Sequence, residues 1–108
     1  MHAVIREATY ESVTPLHESE QFKEIQTLHA RQPGYAGTFV IDAGDGVFFT
    51  VTLWETSQHA TAARVVLEPA VRRLLHPVMA APSRLLGAGP LVVKDVVDSS
   101  EPPGVVGV

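Results

Sequence analysis

The stretch Val47–Val66, VFFTVTLWETSQHATAARVV, changes its period partway through. Up to Trp54 it alternates. Phe49, Val51 and Leu53 share one face, and Phe48, Thr50, Thr52 and Trp54 share the other. From Ser57 onward the spacing is helical, and Thr56 or Ser57 can cap that start. Just before it stands Asp45-Gly46, a dipeptide suited to a two-residue turn whose central residues need positive φ. Thr38–Ala43 is then the partner strand. The stretch is the second arm of a hairpin that runs into a helix.

Working outward, Ala3–Tyr10 alternates loosely, with Val4, Arg6, Ala8 and Tyr10 on one side, and reads as a first strand. Pro15 breaks it. A helix follows from Ser19, a suitable N-cap, with Phe22, Ile25 and Leu28 as an apolar stripe. RQPGYAG stops that helix. The second helical segment contains Pro69 and Pro77, which predict a break near Glu68 and an end near His76. SRLLGAG reads as a connection, and Leu91–Val97 as the last strand, entered at Pro90. The order is β-α-β-β-α-β. That predicts an α+β fold, the ferredoxin-like split βαβ, with an antiparallel sheet and both helices on one face. Residues 1–97 form the expected domain. Residues 98–108 are a tail, either flexible or pinned on a partner.

A chain of 108 residues holds one core. Its net charge of −4 argues against nucleic acid or an anionic membrane as partner. The absence of cysteine removes disulfides, thiolate catalysis and cysteine-bound metal, and fits a cytoplasmic location. The N-terminus is unlike a signal peptide, and no apolar run reaches about 20 residues.

Few residues offer chemistry. His2, His17, His29, His59 and His76 form no i, i+4 pair, so no metal site is expected. Four of them read as surface or capping residues. His76 lies in an apolar run near a helix end and is the candidate base toward a phenol. Arg6 and Tyr10 share the inward face of the first strand. A buried guanidinium there needs an acid, either a protein carboxylate or an anionic ligand. Trp54, the one tryptophan, either caps the core or walls a pocket.

QPGYAGTFVI, the hairpin, FFTVTLWETSQHATAA, LEPAVRRLLHP and GPLVVKDVV together resemble the antibiotic biosynthesis monooxygenase superfamily, from Ala3 to Val97. The Pro33-Gly34-Tyr35 turn and Leu53-Trp54-Glu55 carry most of the likeness. The resemblance implies a homodimeric α/β barrel, paired through the open sheet face. It implies a monooxygenase that needs no cofactor and acts on flat polyketide or quinol-like molecules beside Trp54. Arg6, Tyr10, Phe48, Thr50 and Thr52 are the expected substrate-binding residues, with Trp54 and His76 as the catalytic pair. Some members carry an asparagine four residues before the tryptophan, where this chain has Thr50. The haem-degrading branch carries a second tryptophan where this chain has Ala63, and a first-strand asparagine that residues 4–10 lack. A non-catalytic binding module and an isomerase or cyclase are the alternatives.

Overall fold

The computed structural model describes residues 1–11 and 15–97. Four strands form one antiparallel sheet in the order β2-β3-β1-β4, with two helices packed on one side. This is the expected ferredoxin-like α+β arrangement. The strands are β1 (His2–Tyr10), β2 (Tyr35–Gly44), β3 (Val47–Trp54) and β4 (Met79–Pro90). The helices are α1 (Glu20–Ala30) and α2 (Ser57–Leu74).

The β2–β3 hairpin turns at Asp45 and Gly46, whose φ angles are 55° and 78°, both positive as the turn requires. The Tyr10 N–H donates to the Gly46 carbonyl at 2.9 Å and ties the turn to the end of β1. Ser19 caps α1 by accepting from the Phe22 N–H at 3.1 Å, and Thr56 caps α2 by accepting from the His59 N–H at 3.1 Å.

Gly34 is required twice over. Its φ is +79°, and a Cβ there would collide with the His59 side chain. Its carbonyl accepts from the Glu55 N–H at 2.7 Å, so the turn before β2 is fixed against the end of β3.

Two expectations need correction. The predicted break near Glu68 is absent, because α2 runs through Pro69 to Leu74. Pro69 removes the N–H that would reach the Val65 carbonyl, but both residues are exposed and water can satisfy that carbonyl. Glu68 pairs with Arg72 at 2.7 Å across the proline.

The last strand is Met79–Pro90, so SRLLGAG is strand and Leu91–Val97 is not. β4 is an edge strand, where Pro82 and Pro90 are tolerated, and three register shifts along β1 disturb its alternation. Beyond it the Leu91 N–H donates to the Met1 carbonyl at 2.8 Å. Val92, Val93, Val96 and Val97 then stand exposed. The predicted tail, residues 98–108, lies outside the described residues.

Two apolar clusters fill the space between sheet and helices. One is built on Ile25, Phe48 and Leu75, the other on Trp54, Ala63 and Leu67. The opposite sheet face is uncovered: Ile5, Phe39 and Ile41 are 37%, 50% and 51% exposed. Among the described residues no helix is long and apolar enough to cross a membrane.

Candidate functional site

The two clusters do not meet along the whole sheet. Between the helices and the inner face of β1 and β3 lies a groove of about 610 Å³, a volume suited to a small molecule. Strand alternation builds its floor. Arg6 lies opposite Thr50 and Val4 opposite Thr52, so a guanidinium and two hydroxyls stand side by side. Thr38 of β2 extends the row, because it pairs with Thr52. α1 contributes Gln26 and His29 to the roof, and α2 contributes Arg64, Leu67 and Glu68. A second hollow of about 500 Å³ lies between exposed side chains on the outer side of α2, and no sheet residue lines it.

Trp54 walls one end of the groove and is only 3% exposed. The Tyr35 ring meets it edge-on, with centroids 5.7 Å apart and planes at 80°. The Tyr35 hydroxyl is held by Thr38 Oγ1 at 2.7 Å. His29 lies against the indole, centroids 6.2 Å apart. Among the described residues the indole N–H has no hydrogen-bond partner, yet no buried side-chain nitrogen or oxygen is left unpaired. The N–H is therefore not sealed in the core, and the ring lines the groove. Core packing and pocket wall are both true of this ring.

His29 was expected at the surface or as a cap, and it is instead half-buried and lines the groove. Its Nδ1 lies 2.9 Å from the Ile25 carbonyl. A carbonyl only accepts, so in the neutral ring Nδ1 carries the proton and Nε2 is left as an acceptor. Burial pulls the imidazole pKa below its ordinary value, and the Ile25 bond opposes that only in part. The sequence carried a signal for this placement: position 29 is one turn beyond buried Ile25, on the same side of α1.

Arg6 also lines the groove, and no carboxylate meets it among the described residues. Glu7, a possible partner, points to the other face and takes Arg84 at 3.2 Å. Burial lowers the Arg6 pKa, and the positive charge of Arg64 lowers it further. Arg64 was not foreseen either. It stands one turn from both Ala60 and Leu67, beside the buried stripe of α2.

Tyr10 lies at the far end of the groove, edge-on to Phe48 with centroids 5.9 Å apart. Burial pushes its phenol up to about 12, so at neutral pH it is an O–H donor. Thr50 and Thr52 lie on the floor. Phe48 does not line the groove. It is 4% exposed, clamped between Ile25 and Leu75 because the sheet closes onto the helices at that end. His76 sits exposed at the rim, in the 3-10 turn His76–Val78 after α2. Water solvates it there, and the enclosed imidazole is His29.

No group of three or more histidine or acidic residues among the described ones could hold a metal ion. Position 63 is a buried alanine packed on Trp54, which leaves no room there for a second indole.

No protein-family model matches the chain. No curated protein matches it by sequence. Solved structures match it over most of its length. SnoaB, a cofactor-independent oxygenase from Streptomyces nogalater, is 15% identical with a TM-score of 0.69, over 86% of this chain and 94% of its own. A structure described as an antibiotic biosynthesis monooxygenase is 12% identical with a TM-score of 0.66, over 86% of this chain and all of its own. MhuD, a haem degrader from Mycobacterium tuberculosis solved with two haems in its active site, is 18% identical with a TM-score of 0.66, over 89% of this chain and all of its own. The chain shares its fold with these three structures.

Proposed function

We propose that the groove binds a flat, electron-rich aromatic molecule of quinol or polyketide type and oxidises it with dioxygen, without a bound cofactor. The observation that carries this reading is the indole of Trp54, packed by aromatic neighbours, lining the groove with an N–H that is not sealed in the core, and with His29 beside it. A flat ring can lie on the floor while the indole N–H donates to its oxygen. Nε2 of His29 can take the proton of an acidic phenol or enol, which raises electron density on the ring. The stoichiometry needs no external reductant. In an anthrone a ring CH2 becomes a ketone, and in a quinol a ring C–H becomes C–OH as the two hydroxyls become quinone carbonyls. In both, one oxygen atom stays in the product and the other leaves as water with two hydrogens from the substrate. Thr50 donates a single hydroxyl, where a carboxamide would offer a donor and an acceptor together.

The open sheet face supports a second proposal. Phe39, Ile41 and Ile5 form an apolar surface that monomers rarely leave in water, and a second copy of the chain would cover it across a two-fold axis.

The experiment is an oxygen-electrode trace with anthrones and quinols, read beside quenching of Trp54 fluorescence. Oxygen uptake that vanishes in Trp54→Phe is the expected result. Quenching without oxygen uptake makes the protein a binding module instead. Conversion without oxygen uptake makes it an isomerase or cyclase.

A further inference from the structure

The chain carries a net charge of −4, yet three arginines and one glutamate line the groove. Glu68 is taken by Arg72 at 2.7 Å. Arg6 and Arg64 are left, and among the described residues neither donates to a carboxylate. Arg6 is half-buried on the floor of the groove, where burial and the repulsion of Arg64 both disfavour its charge. A partly buried cation normally has an anion beside it, and among the described residues none is supplied to Arg6.

We propose that Arg6 and Arg64 form a cradle for an oxyanion, so that the groove selects aromatic molecules carrying a carboxylate or a phenolate. This rests on the reading of the groove as an aromatic site and names its ligand class. The sheet register gives the dimensions. Arg6 lies opposite Thr50, and Trp54 is four residues further along β3, roughly 13 Å at strand rise. A frame of two or three fused rings reaches from the guanidiniums to the indole. A guanidinium fork holds a carboxylate by two parallel bonds or a phenolate by one, and Thr50 and Thr52 stand beside it to donate to a second oxygen. Arg6 comes from the middle of the sheet and Arg64 from the helix above it, so the two close on the anion from opposite walls.

The test uses three probes on the full chain, followed by Trp54 fluorescence and calorimetry. They are anthracene-2-carboxylate, the neutral 2-anthracenemethanol, and 2-naphthol followed across its own ionisation. The carboxylate is expected to bind about tenfold tighter than the alcohol, the range of a charge-assisted bond. Arg6→Gln and Arg64→Gln each remove most of that preference and leave the alcohol within about twofold. Arg64 is exposed, so its variant keeps the test valid should Arg6→Gln fold poorly. Naphthol binding that strengthens as the phenol ionises identifies a phenolate ligand. Strengthening confined to the carboxylate identifies an acid. Equal binding of carboxylate and alcohol overturns the cradle and leaves the aromatic groove standing. Failure of every probe to bind overturns the groove itself.

Discussion

The His29 and Trp54 rings lie 6.2 Å apart with their planes inclined at 41°. One comes from the last turn of α1 and the other from the last residue of β3. Their meeting places a proton acceptor and a proton donor at the same end of one groove. Each ring also helps to bury the other, so packing and chemistry use the same atoms.

Because burial lowers the folded-state pKa of His29, the unfolded chain binds more protons between the folded and ordinary values. The stability that His29 contributes is therefore complete above the ordinary imidazole value of about 6.5 and is lost as pH falls below it. Urea unfolding at a series of acid pH values should show a flatter slope in His29→Gln. Turnover should hold level through neutral pH and fall only on the acid side, and the variant should lower kcat more than it raises KM.

Trp54→Ala should destabilise the fold by about 3–5 kcal/mol, since it empties a site enclosed by Ala63, Leu67, Leu28 and Tyr35. Trp54→Phe keeps most of the packing and loses the N–H. Chemical denaturation should rank the two far apart in stability, while both lose aromatic ligand binding measured by calorimetry.

Gly34→Ala should cost about 2 kcal/mol or more, because positive φ and collision with His59 act together. A drop in the thermal midpoint tests it. Gly44→Ala meets no atom within 4 Å and carries only the penalty of its positive φ, so it should cost less.

Phe39→Asp should leave the fold intact and abolish self-association, because half of that side chain is already in water in the single chain. Light scattering is expected to report a dimer for the parent and a monomer for the variant. Circular dichroism should not distinguish them.

The hairpin was fully legible in the sequence because three signals agreed there: alternation on both arms, Asp45-Gly46 at the turn, and a helix cap after it. β4 was not. Gly87, Ala88 and Gly89 offer no large side chains to alternate, Pro82 and Pro90 argue against a central strand, and register shifts break the period. The valines that follow gave the stronger β signal, and that misplaced the strand. In the site, alternation correctly grouped Arg6, Tyr10, Thr50, Thr52 and Trp54 on one face. It could not show that Phe48, on the same face, lies where the sheet is closed by Ile25 and Leu75. His29 and Arg64 flank their apolar stripes, and a stripe shows its centre better than its edges.

The valines after β4 come in two bare pairs, Val92-Val93 and Val96-Val97, separated by Lys94 and Asp95. Uninterrupted, that run would match the short, uncharged, β-branched segments that stack into fibrils. The two charges act as gatekeepers: stacking identical copies in register would line up lysine on lysine and aspartate on aspartate. Swapping both for valine would turn a guarded ribbon into a fibril seed.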